Sequence, residues 1–229
     1  MPVLEHIHIL TPNRLSITMV AHSTHLKNGI EHVKITCPHL RKVIEISDVC
    51  NLKPQEQSVN SYFESLVRSV IAQQISSSAA STINMRVKKL ANNKITPRIL
   101  ANRSETELRS AGLSSSKVKT IHGLANAHLS KEIDLAQLKD ASNDEAVKML
   151  SSQWGIGRWT AEMFLMFTMG RLDVWPVGDL AVRRGWQIVH GLKEMPNEKQ
   201  MEPLGDPFSP YRSIAAWYCW RVLEPQEPW

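Results

Sequence analysis

The segment Leu150-Ser-Ser-Gln-Trp-Gly155-Ile-Gly157-Arg-Trp-Thr-Ala161 decides how the rest of the chain is read. Two glycines flank one aliphatic residue, with helical periodicity on either side. Glycine tolerates backbone angles that a Cβ disfavours, so the pair permits a tight turn. Ile156 can then plug the groove between the two helices. The amides around Gly155 and Gly157 point outward at the start of the second helix, and with the helix dipole behind them they suit a phosphate. A bare Gly-x-Gly is equally compatible with an ordinary helix–helix turn. Leu150 before it and Arg158-Trp159-Thr160-Ala161 after it make the phosphate reading specific. A contact of this kind positions a protein on a nucleic-acid backbone without reading sequence.

Helical spacing surrounds this hairpin. Phe63, Leu66, Val67, Val70 and Ile71 recur every three to four residues over Tyr62 to Ile75, and Asn92-Asn93 breaks the helix that follows. Pro97 suits a first turn. Ser104 with Glu107 has the capping-box spacing for a short helix ending near Gly112. Further helices are expected over Ser116 to Leu129, Leu135 to Leu138, a segment ending at Leu150 with Ser142, Asn143 or Asp144 as cap, Arg158 to Met169, Asp179 to His190, and Pro210 to about Leu223. Only Glu31 to Thr36 hints at a strand, so an all-α architecture of two helical lobes with a cleft between them is expected. Residues 1–25 read as a poorly specified leader of unknown function, and residues 26–229 as the core.

Composition narrows the partners. The chain has 229 residues, 27 basic against 22 acidic side chains, and a net charge of +5, which suits a polyanion. Cys37, Cys50 and Cys219 are scattered without a CxxC pair. Neither a disulfide framework, nor a thiolate zinc site, nor an iron–sulfur cluster is expected, and a reducing intracellular setting follows. No apolar run reaches the roughly 18 residues of a membrane span, and no signal peptide is expected.

Residues 150–161 resemble the hairpin of the helix-hairpin-helix DNA glycosylase superfamily. The stretch Asp173-Val-Trp-Pro-Val-Gly-Asp179-Leu-Ala-Val-Arg-Arg-Gly185 resembles the superfamily's loop bearing a catalytic aspartate. Leu66-Val-Arg-Ser-Val-Ile-Ala-Gln-Gln-Ile-Ser76 and Pro210-Tyr-Arg-Ser-Ile-Ala-Ala-Trp-Tyr-Cys-Trp220 are similar to the alkyladenine (3-methyladenine type II) branch. The similarity spans roughly residues 30–223. It implies an enzyme of base excision repair, acting as a monomer on double-stranded DNA that carries damaged bases. The compartment would be the cytoplasm or nucleoid of a prokaryote, or the nucleus of a eukaryote. The β-rich N-terminal domain of some relatives is not expected here.

The resemblance assigns roles. Asp179 alone could be a helix N-cap; in the superfamily's position it is the catalytic carboxylate, facing the positive charge that builds on the sugar as an N-glycosidic bond breaks. Asp173, the nearest rival, is expected to end the preceding turn. Members that also cut the strand carry a lysine two positions beyond the hairpin's second glycine, where this chain has Trp159. An indole cannot form the Schiff base that an amine forms, so excision without strand cleavage is implied. Trp159, Met163, Trp220, Tyr218 and Tyr62 are the expected base pocket, though aromatics also pack cores. Electron-rich walls favour cationic bases such as 3-methyladenine and 7-methylguanine, and hypoxanthine or 1-methyladenine would follow from breadth. Gln73, Gln74 and Ile75 are expected to wedge into the gap left by the flipped base, or else only to end a helix.

Phosphate contacts are expected from Gly155, Ile156, Gly157, Arg158, Thr160, Ser116 and Lys117. Arg183, Arg184 and Arg212 could join them or be paired internally. Glu162 could face solvent or the pocket. No side chains suggest a metal site and no cofactor is expected, although hairpin carbonyls could hold a monovalent cation. The competing readings are a glycosylase for uracil, mismatched or oxidised bases, and a hairpin protein that only binds DNA.

Overall fold

The computed structural model describes residues 14–223, with side chains from residue 21 onward. Among these residues there are twelve α-helices, two 3-10 segments and no strand. In order the helices are α1 Arg14–Thr36, α2 Pro38–Ile46, α3 Val59–Ala72, α4 Ser77–Leu90, α5 Pro97–Ala101, α6 Glu105–Ser110, α7 Ser115–Leu129, α8 Asn143–Ser151, α9 Arg158–Phe167, α10 Leu180–His190, α11 Glu198–Met201 and α12 Arg212–Arg221. The 3-10 segments are Leu135–Lys139 and Glu202–Phe208.

Local chemistry explains most boundaries. Phe63, Leu66, Val67, Val70 and Ile71 of α3 are all buried, each contributing roughly 1.5–3 kcal/mol before ordering entropy is subtracted. At α6 the Ser104 amide donates to Glu107 Oε2 at 2.7 Å while the Glu107 amide donates to Ser104 Oγ at 3.2 Å. Ser142, not Asn143 or Asp144, caps α8 and forms the same box with Glu145. The expected strand at Glu31 to Thr36 is instead the end of α1. Ile30, Val33 and Cys37 form one buried face at helical spacing, and that burial outweighs the β-branched composition. The leader boundary expected at residue 25 also falls inside α1, and residues 1–13 lie outside those described.

The chain folds back on itself to make two lobes. Helices α3 to α9 pack together, with α3 touching α4, α7, α9 and the first 3-10 segment. Helices α1, α2, α10 and α12, with α11 and the second 3-10 segment, form the other. The two crossings between lobes are bonded to each other: the Gln55 amide donates to Thr168 O at 2.8 Å, and its side-chain amide to Phe167 O at 3.0 Å.

The second crossing is pinned by polar groups. Arg212 grips Asp173 with two nitrogens, at 2.7 and 2.9 Å. Ser213 Oγ accepts from the Val174 amide at 2.8 Å, and Trp175 Nε1 donates to Met201 O at 2.8 Å. Burial works against the Asp173 charge, but the Arg212 hydrogen bonds outweigh it and hold the carboxyl below its ordinary value of 3.8. A depressed folded-state pKa means the stabilisation is fully present above that ordinary value. It is lost as pH falls through the lower folded-state value. Thermal unfolding between about pH 6 and pH 2 should therefore show an acid slope that flattens in Asp173→Asn; an unchanged slope would remove this pair from the acid response.

Candidate active site

Asp179 stands where the second crossing enters α10. Its amide donates to Pro176 O at 2.9 Å, which closes the turn. Its side chain N-caps α10, with Oδ1 accepting from the Val182 amide at 2.7 Å. The cap role and the expected site role thus fall on one residue. Two indoles complete its shell: Trp220 Nε1 donates to Oδ1 at 3.0 Å and Trp159 Nε1 to Oδ2 at 2.6 Å. Trp159 begins α9 in one lobe and Trp220 lies near the end of α12 in the other. Asp179 is therefore the point where the lobes meet. It is only 6% exposed, under a Trp159 side chain that is 48% exposed.

An aromatic margin surrounds the carboxylate. Met163 is half-buried one turn along α9 from Trp159, and Phe167 one turn further is 43% exposed. The Phe167 ring lies 5.5 Å from that of half-buried Trp220. Phe167 was not among the expected pocket residues. Its signal was present, since 159, 163 and 167 step by four along one helix face.

Two expected pocket residues belong to the core. Tyr218 is fully buried, its hydroxyl accepts from the Cys50 amide at 3.2 Å, and burial pushes its pKa up to about 12. On α12 it stands two residues from Trp220 and so on another face. Tyr62 is buried edge-on against Phe164 at 5.7 Å.

The hairpin between α8 and α9 has the expected plug, with Ile156 and Leu150 buried. Its glycines differ in kind. Gly155 has φ +81°, and a Cβ there would run into the Thr120 side chain. Gly157 has an ordinary φ of −83° with open space where a Cβ would stand, so nothing local requires glycine there. No side chain caps α9, which leaves its first-turn amides free of side-chain partners. Thr160 is buried and does not face outward.

The expected basic contacts divide sharply. Lys117 is turned inward, donating to Ile71 O at 2.7 Å and Gln73 O at 2.9 Å, and burial lowers its pKa. It caps α3 and is not placed to meet phosphate. The exposed base of that segment is Lys119, whose Nζ sits 4.5 Å above the ring of exposed Trp154. Ser116 is exposed on the first turn of α7, sharing a hydrogen bond with Ser114. Arg212 is committed to Asp173, and Arg184 donates to Gln187 at 2.6 Å. Arg183 is half-buried, with its Nε atom out of solvent. Arg158 is largely exposed while its Nε donates to Glu162 at 2.8 Å.

Glu162 points inward and is 2% exposed. Burial raises its pKa; the Arg158 contacts oppose this, and the Asp179 and Glu198 charges add to it. At the turn after α3, Gln74 and Ile75 are exposed, Gln74 with φ +58°. Gln73 is not a protruding wedge. Its amide nitrogen donates to Gly155 O at 3.2 Å and to Thr160 Oγ1 at 3.4 Å.

Among the described residues no group of three or more His, Cys, Asp or Glu could hold a metal ion, and no helix is long and apolar enough to cross a membrane. The three cysteines are free thiols, all buried. Of the hairpin carbonyls, Gln153 O accepts from Ile156 N and Gly155 O from Gln73.

A fold of two helical lobes, meeting at an indole-held aspartate beside an uncapped hairpin, matches a known group. Residues 67–210 match the family model of the HhH-GPD superfamily base excision DNA repair proteins, and the chain belongs to that family. It is 35% identical over 163 residues to DNA-3-methyladenine glycosylase 1 of Schizosaccharomyces pombe, spanning 70% of this chain and 72% of the relative. A solved structure of a 3-methyladenine DNA glycosylase from that yeast, in complex with abasic DNA, superimposes with a TM-score of 0.71 at 31% identity, covering 85% of this chain and 95% of the other. A DNA-3-methyladenine glycosidase from Bacillus halodurans gives 0.77 at 33% identity, over 86% and 89% of the two chains.

Proposed function

We propose that the protein is a DNA glycosylase that takes alkylated bases out of double-stranded DNA and hydrolyses their glycosidic bond, leaving the strand intact at an abasic site. One observation carries this reading: a buried carboxylate sits at the junction of the lobes, held by an indole from each and flanked by half-exposed aromatics. The relatives' names support the same substrate class.

The chemistry follows from the two oxygens of Asp179. Oδ1 is committed to the Val182 amide and Trp220. Oδ2 accepts from Trp159 Nε1, so it is the oxygen we assign to face a sugar when that exposed side chain yields. As the bond from C1′ to the base breaks, its electron pair leaves with the base and positive charge spreads over the sugar ring. The carboxylate stabilises that charge, and water then adds at C1′ and gives up a proton. An alkylated purine is already cationic, so it departs as a neutral molecule without prior protonation. The aromatic faces of Trp159, Phe167 and Trp220 attract the same charge.

The uncapped amides at the start of α9, with Arg158, Lys119 and Ser116, would hold phosphates, and Gln74 and Ile75 would fill the gap. A monovalent cation on the remaining lone pairs of the hairpin carbonyls fits the site, and no step depends on it.

The test is release of free base from duplexes carrying single lesions. Release of 3-methyladenine and 7-methylguanine is expected, against little from uracil, a mismatched thymine or 8-oxoguanine. Binding without release of any base would leave only a DNA-binding role. Borohydride should trap no covalent protein–DNA adduct, since position 159 carries no amine; a trapped adduct would assign strand cleavage to the protein.

A further inference from the structure

The turn expected to enter the DNA stack is tied to the hairpin expected to hold the backbone. The last carbonyls of a helix lack intrahelical partners. At the end of α3, Ile71 O and Gln73 O are both taken by Lys117 Nζ, reaching across from α7. The Gln73 side chain runs the other way, to Gly155 O on the hairpin and Thr160 Oγ1 on α9. Thr120 of α7 in turn packs where a Gly155 Cβ would be. Three elements therefore converge on the residue immediately before exposed Gln74 and Ile75. Gln74 itself holds a left-handed backbone, which costs a non-glycine residue roughly 1 kcal/mol and persists only where neighbours impose it.

We infer that Gln73, seated by Lys117, is a strut that sets the height of the Gln74–Ile75 wedge relative to the phosphate-binding hairpin, and so is a positioning residue for base flipping rather than a part of the wedge. The inference rests on the proposed glycosylase reading for the role of the wedge. Flipping breaks stacking and pairing, which costs a few kcal/mol in an intact duplex and least where the base has no pairing partner. A wedge at fixed offset from the gripped phosphate offsets that cost; one that drifts must be ordered during each attempt. The strut therefore matters in proportion to the work of extrusion and not to the chemistry afterwards. A merely structural glutamine would affect all substrates alike.

The experiment compares wild type, Gln73→Ala and Gln73→Glu. The glutamate keeps the size but replaces the donor with an acceptor facing the Gly155 carbonyl, which has no hydrogen to give. Single-turnover excision is measured on one lesion placed opposite thymine and, separately, opposite an abasic analogue. Both variants should lose about tenfold on the paired lesion, the worth of one to two hydrogen bonds, and less than about twofold on the unpaired one. At saturating protein, 2-aminopurine beside an abasic analogue should report weaker unstacking in both variants than in wild type. Equal losses on the two lesions, or no loss on either, would overturn the strut. Wild-type protein that perturbs the 2-aminopurine but releases no base would sink the glycosylase reading alone, leaving the fluorescence comparison as the test of the strut.

Discussion

Asp179→Asn is expected to lower excision of an alkylated base on the order of a thousandfold while affinity for abasic duplex stays within a few-fold. The size follows from what is lost. The amide is nearly the same shape and its oxygen can still cap α10 and accept from Trp220. It lacks the negative charge that faces the developing cation, however, and water-excluded sites give such charges their largest effect. Its NH2 group would also confront the Trp159 indole N–H, donor against donor, across what is now 2.6 Å. Trp159 should therefore swing away, visible as a change in tryptophan fluorescence. Affinity should persist because the proposed phosphate and wedge contacts lie on other segments. Single-turnover release and equilibrium binding on the same duplex make the check. Retained turnover would move the chemistry to another group, with buried Glu162 the first to examine.

Gly185→Ala is expected to cost about 3 kcal/mol and to lower the unfolding temperature by roughly 6–12 °C. Alanine is the better helix former, by about 1 kcal/mol, so propensity alone predicts stabilisation. Geometry reverses the sign. A Cβ on Gly185 would overlap the Cys219 carbonyl and lie 3.0 Å from its Cα. These are backbone atoms of α12 and cannot rotate aside. Helices α10 and α12 must then separate, and they carry Asp179 and Trp220 respectively. Misplacing a reacting group by about 1 Å can cost a hundredfold in rate, so excision should fall by that order even well below the melting point. An unfolding temperature within about 1 °C of wild type would show that the helices can yield freely.

The features legible in the sequence are those whose cause is local. The α3 stripe, the capping boxes at Ser104 and Ser142, and the buried Ile156 plug follow from spacing over a few residues. Asp179 is singled out by a resemblance that places it after the hairpin; local chemistry alone makes it a helix cap, and it caps α10. Tyr218 and Tyr62 lie in the core instead of the expected pocket because an aromatic's phase on its helix decides which face it joins. Lys117 and Lys119 make the same point. Both are lysines in a turn–helix segment, yet one caps a neighbouring helix and the other rests on Trp154. The contact made by Gln73 is not legible locally, because its partner lies 82 residues away at Gly155.

By itself, then, the sequence determined that Asp179 would begin a helix after a glycine hairpin, and that no lysine would stand two residues beyond that hairpin. Those are matters of residue type and spacing along one chain. Only the tertiary structure decided that indoles from α9 and α12 would close on that carboxylate. It also decided that Gln73 would reach the hairpin and that Gly185 would lie against the Cys219 backbone of α12. Each of these is a contact between elements far apart in the chain, within a lobe or between lobes, a packing that no local spacing encodes.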